Sequence, residues 1–120
     1  MDATHCVAWY QYYSSNYENS AQVLSISTST WAVTTSSARK SLGNGANGNI
    51  DGSYGDIIKV DTNHFLVTFI DGNYDGFAQV IAVNTSTFEV TTAASSLEYD
   101  TRQAFYSTLL KIDDTHFVNI

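Results

Sequence analysis

A chain of 120 residues with 12 acidic and 5 basic side chains, net charge −7, is one domain's worth of material and repels phosphate backbones and anionic membrane surfaces. Nucleic acid is therefore a poor partner, and no apolar run approaches the roughly 18 residues that span a bilayer. The single cysteine, Cys6, leaves no internal disulfide and no Cys/His cluster for zinc, while the absence of proline and the wealth of Thr, Ser, Val, Ile and aromatics favour strands over helices. The chain reads as soluble, with its compartment open and export of a longer parent protein allowed.

In chain order, the opening phrase DATHCVAWY returns as VDTNHFLVTF and again as IDDTHFVNI at the end. Between these phrases, AQVLSISTSTWAVTT (Ala21 to Thr35) and AQVIAVNTSTFEVTT (Ala78 to Thr92) align without a gap. Duplication explains both matches, and internal repetition is the first thing to settle because it governs the whole fold. The units run over about 5–63 and 64–115, with the start of the phrase repeated once more at 116–120.

Each unit reads as four short strands. Ile57 to Val60 (and Leu109 to Ile112) forms an inner strand, ended by a turn rich in Asp, Thr and Asn; HFLVTFI from His64 forms the second. After the loop DGNYDG, AQVIAVN is the third strand, TST a turn and FEVTT the outer strand. In HFLVTFI, Phe65, Val67 and Phe69 point one way and Leu66 and Ile70 the other, so this strand expects cover on both faces. In FEVTT, Phe88 and Val90 share one face against Glu89 and Thr91, the pattern of an outer strand; Trp31 and Val33 repeat it.

These residues predict an all-β fold: two tandem four-stranded antiparallel units plus one extra strand, each unit a meander that stacks its faces on its neighbours. Periodicity alone also allows a small sandwich. With Trp31 and Phe88 beginning the outer strand after a short polar turn, the pattern resembles kelch-type and related β-propeller repeats. The glycine pair typical of kelch second strands is replaced by Phe69-Ile70 and Tyr10-Gln11, and the resemblance carries over no functional residue. It implies propeller blades. The chain then runs second, third, outer, inner, twice over, and adds one more second strand. Two blades do not close a ring of about four to eight. The expectation is head-to-tail assembly with copies of itself, three chains giving about six blades and two giving about four as the lesser option. His116 to Ile120 and His5 to Tyr10 of the next copy would then compete for one slot.

Three groups are candidates for chemistry. Asp71, Asn73 and Asp75 in DGNYDG match the start of a calcium loop, as in integrin-type propeller repeats, although Gln79 and Ala82 stand where later ligands belong. The competing reading is an Asp/Asn/Gly turn. Tyr12, Tyr13, Tyr17 and Tyr74 beside Asn, Asp and Ser form a candidate glycan platform, since rings cover apolar sugar faces while polar groups bind hydroxyls; the alternative is ordinary packing. His5, His64 and His116 each follow an aspartate (Asp2, Asp61, Asp113) by three residues, which suits a general base, or a turn cap repeated in every copy. Gly43 to Gly48 spells G-x-G-x-x-G, but another turn follows where a dinucleotide site needs a helix. The function expected is a non-enzymatic recognition or scaffold module without an obligatory cofactor. The alternatives are a lectin-like propeller, a calcium-stabilised adhesion module and a hydrolase built on the His/Asp pairs.

Overall fold

Polar turns divide the chain into strands short enough to form hairpins, and the backbone hydrogen bonds of each strand are met by the next. The computed structural model describes residues 2–12, 18–44, 55–102 and 104–120. Among these the regular structure is all strand: β1 (His5–Tyr12), β2 (Glu18–Ile26), β3 (Val33–Thr35), β4 (Lys40–Asn44), β5 (Ile57–Lys59), β6 (His64–Ile70), β7 (Gly76–Val83), β8 (Val90–Thr92), β9 (Leu97–Asp100), β10 (Leu109–Lys111) and β11 (Phe117–Asn119).

Every pairing is antiparallel. The first sheet has the order β1-β2-β3 with β4 also on β2, the second β5-β6-β7-β8 with β9 also on β7, and β10 and β11 form a two-stranded ribbon. The two halves correspond closely. The ribbon carries the register of β5 and β6, with Leu109 opposite Asn119 just as Ile57 is opposite Val67. The strand order follows the one expected from the sequence, so the second sheet starts with the inner strand β5, which lies inside the first sequence repeat. No sheet is closed.

The outer strand differs from its expected form. It is split in two, with β8 on Ile81–Val83 and β9 on Gly76–Ala78 of the same neighbour, and β3 and β4 divide β2 in the same way. Phe88 and Trp31 do not begin it. Each closes the preceding turn in the left-handed region, at φ 59° and 58°, and donates its backbone N–H to Asn84 or Ser27 at 2.8 Å. A left-handed non-glycine residue costs about 1 kcal/mol or more. Its presence in both copies makes it part of the repeat.

The core lies between the two sheets. Because side chains alternate along a strand, the face of the first sheet carrying Val7, Trp9, Asn19, Ala21 and Val23 meets the face of the second carrying Phe65, Val67, Phe69, Ile81 and Val83. Val23, Val67, Ile81 and Val83 are all but fully enclosed, each stabilising the fold by about 1.5–3 kcal/mol. Asn19 adds a buried polar tie, donating from Nδ2 to the Ile70 carbonyl at 2.9 Å. Gly55 lets the chain pass close to β6: a Cβ there would lie 2.0 Å from the Thr68 carbonyl oxygen.

Candidate functional site

The repeated turns place the three Asp/His pairs at equivalent points, each at the start of a second strand. Asp61 Oδ1 accepts from the backbone N–H of Asn63 and His64 at 2.9 and 2.8 Å, and the carboxylate meets His64 Nδ1 at 2.9 Å. Asp113 does the same with Thr115 and His116, while Asp2 accepts from the Thr4 N–H and hydroxyl and meets His5 Nδ1 at 2.7 Å. Backbone donors, led by Asn63 and Thr115, together with the histidine rings hold Asp61 and Asp113 down to about 2; the His5 ring, then the Thr4 N–H, lowers Asp2 further. In all three the carboxylate closes a turn. The His5 ring also stacks on Phe88, centroids 4.0 Å apart at 18°, so this pair bridges the two sheets.

The loop Asp71 to Gly76 is also closed by its first carboxylate. Asp71 Oδ1 accepts from Asn73 N at 2.8 Å and Asp75 N at 3.0 Å, and Tyr74 turns at φ 72°. Asp71 and Asp75 bring two carboxylates to this loop, and among the described residues no group of three His, Cys, Asp or Glu side chains gathers for a metal. Gly76 is required by close approach, because a Cβ there would lie 2.6 Å from the Tyr99 ring.

The proposed tyrosine platform is divided between sheets. Tyr12 ends β1 beneath the Arg39 guanidinium, 3.9 Å from its ring centre, and Arg39 pairs with Glu18 at 2.6 Å. Tyr74 meets Phe105 edge-on at 5.9 Å, beside exposed Tyr106. Tyr13 and Tyr17 lie outside the described residues, as do positions 45–48 of the glycine-rich motif.

Two repeat units that do not close a ring imply uncovered end faces, and the structure shows which residues lie on them. Val90 of the second sheet is 4 % exposed, whereas Val33, its counterpart in the first, is 59 % exposed. Gln79, Ile81 and Val83 of β7 are buried, while Gln22, Leu24 and Ile26 at the same points of β2 are only half-buried. Phe88 stacks on His5; Trp31, its counterpart, is 76 % exposed. On the opposite face the bias reverses. Ala21 and Val23 of β2 are fully enclosed, whereas Ala78 and Val80 of β7 are half-open. The histidine side chains are graded likewise, from 16 % exposed at His5 to 72 % at His116. The signal in the sequence was the gapless match itself: corresponding residues in both copies, of which only one of each pair is covered.

No protein-family model matches the chain, and no curated protein or solved structure does either.

Proposed function

We propose that the chain is a β-propeller repeat module, non-enzymatic, that stacks head to tail with copies of itself into a closed ring and serves recognition or scaffolding. The observation that supports this reading is the complementarity of the two open faces. The junction between the sheets mates one copy of the repeat surface with the other, and the chain presents each surface a second time, one open and the other covered in part, where Ser107 and Leu109 lie against Thr68 and Asp56. A face containing Leu24, Ile26, Trp31 and Val33 is a hydrophobic patch of the kind that marks an interface. Identical junctions repeated around an axis generate a ring, and three chains supply about six blades.

Light scattering after size exclusion, across a dilution series, tests this. A mass of three chains of 13.2 kDa, or of two in a smaller ring, is the expected result. A stable monomer at micromolar concentration overturns the ring.

A second reading concerns the ligand. Exposed Phe105 and Tyr106 beside Tyr74 make an aromatic surface suited to the apolar faces of sugars. Glycan-array binding that is lost on Tyr74→Ala, with the mass unchanged, supports it. Binding that survives both Tyr74→Ala and Tyr12→Ala removes it.

A further inference from the structure

The ring reading says which faces meet; the structure also indicates which strand crosses from one copy to the next. Strand β1 pairs with β2 along one edge, and its other edge has no partner among the described residues. The matching edge of β6 is taken by β5. Beside the bare edge lies a cavity of about 340 Å³ between β1 and the inner strand of the second sheet, lined by Cys6, Val7, Ile57, Lys59 and Phe65. We propose that this cavity receives β10 of a second copy, which leaves its own β11 and pairs with β1 instead. The inference rests on the head-to-tail reading above.

Three observations carry it. First, the occupant has the right chemistry. Leu110 and Ile112 stand exposed on β10 and its continuation, with no apolar surface to cover them, and the cavity wall offers Val7, Ile57 and Phe65. Second, the chain contains a template for the contact. Where β5 runs beside β10, Lys111 Nζ donates to the Val60 carbonyl at 3.1 Å, and Leu109 N donates to Asp56 Oδ2 at 2.9 Å. One repeat earlier, Lys59 takes the place of Lys111 on the cavity wall, and Ile112 of the incoming strand takes the place of Val60. The Lys59 ammonium then has the Ile112 carbonyl as its acceptor.

Third, β1 is the better partner for β10. The ribbon joins β10 to β11 over three residue pairs, and among the described residues β11 has no strand on its far side. A two-stranded ribbon is marginal in water on its own, and this one leans on the second sheet through Ser107, Leu109 and Lys111. Strand β1 is eight residues long and already backed along its length by β2, so exchanging β11 for β1 makes β10 the edge of a complete sheet. The register is fixed in advance, because β1, β6 and β11 all follow the same Asp/His turn. Leu109, Leu110 and Lys111 of one copy fall opposite Ala8, Val7 and Cys6 of the next.

That register supplies the test. Ile112 N donates to His116 O and Val60 N to His64 O, so Lys111 and its partner occupy the adjacent, non-hydrogen-bonded site, where Cα atoms lie about 4.5 Å apart, close enough for a disulfide. In the full chain, Lys111→Cys should form an interchain disulfide with native Cys6 under mild oxidation. The bond should disappear with Cys6→Ser, and Asp114→Cys should not form it. An oligomer whose Lys111→Cys variant stays uncrosslinked overturns the strand exchange and leaves the ring reading intact; a monomer that does not crosslink overturns both. A second variant covers a failure of the first to fold. Lys111→Cys with Phe117→Cys, in Cys6→Ser, staples β11 to β10 within one chain and should shift the mass to monomer at least tenfold more readily than the reduced form. An oxidised stapled chain that assembles as well as the reduced one also overturns the exchange.

Discussion

Strands β1 and β6 begin on the same Asp/His turn and pair with equivalent partners, yet five of the seven residues of β6 are buried and none of the eight in β1 is. The difference follows from what lies beside and in front of each. Strand β6 has β5 on its edge, the first sheet over one face and Ser107 against Thr68 on the other; among the described residues β1 has a bare edge, and the second sheet covers one of its faces. In a repeat protein the same residue is core or surface according to its neighbours, so stability is a sum over junctions as much as over units.

The sharpest way to break this comparison is to cut the same methylenes from both copies. Ile81→Ala removes a fully enclosed side chain and should cost about 2–5 kcal/mol in urea unfolding, independent of protein concentration. Leu24→Ala, its counterpart on the open face, should cost under about 1 kcal/mol in the dilute chain. At higher concentration its cost should grow, because there Leu24 enters a junction. Equal and concentration-independent losses at the two sites would mean that the open face is never covered.

Next in size is the aromatic pair. Within the chain Phe88 receives the His5 ring, and in the proposed ring Trp31 receives His64 of the preceding copy. An aromatic stack adds about 0.5–1.5 kcal/mol to the burial of the rings, so Trp31→Ala should raise the concentration at which the oligomer dissociates by tenfold or more. Light scattering reads this directly. Phe88→Ala should lower the melting temperature and leave the dissociation concentration nearly unchanged.

Much of this was legible in the sequence. The gapless match of Ala21 to Thr35 with Ala78 to Thr92 gave the repeat, the turns gave the hairpins, and the apolar residues on both sides of HFLVTFI gave a strand covered twice. The split of the outer strand was not, because LEYD alternates over only four residues and KSLGN holds a single apolar side chain: β9 pairs through its backbone and buries little. The left-handed turns at Trp31 and Phe88 escaped for another reason, since neither aromatic is a residue type that marks positive φ. That two repeat units leave uncovered end faces was legible too; which residues lie on them was not, because the repetition makes Val33 and Val90 look alike when only one has a neighbour.

A smaller effect sharpens the comparison inside the core. Gln22 is satisfied at both ends, accepting from the Tyr10 hydroxyl at 3.2 Å and donating to the Ser37 carbonyl at 2.7 Å. Gln79 keeps the second bond, to Ala94, but Phe69 stands where Tyr10 would be, and the buried Oε1 of Gln79 has no partner among the described residues. Phe69→Tyr should supply the missing donor and stabilise the chain by about 1 kcal/mol, seen as a higher urea midpoint at unchanged slope. Destabilisation would show that the second copy has no room for a hydroxyl that the first accommodates.

The smallest effect comes from the exposed turns. Asp61 and Asp113 titrate near 2 in the folded chain, below the ordinary aspartate value of 3.8, and Asp2 lower still. A depressed folded-state pKa stabilises the fold at pH values above the unfolded value and loses that contribution as pH falls through the folded one. Stability from these turns should therefore be intact at pH 5 and decline between about pH 4 and pH 2. Asp61→Asn should flatten that decline, since an amide still accepts the Asn63 and His64 N–H groups but does not titrate. The three turns should differ in how they respond. Asp61 and Asp113 are held mainly by backbone donors, so changing their histidines should leave most of the acid dependence in place. Asp2 is held first by His5, which stacks on Phe88 across the sheet junction, so His5→Ala should remove the largest single part of its share, leaving the Thr4 bonds, and Phe88→Ala should loosen it. A turn that senses the neighbouring sheet through one ring is thus set apart from two turns closed by their own backbone.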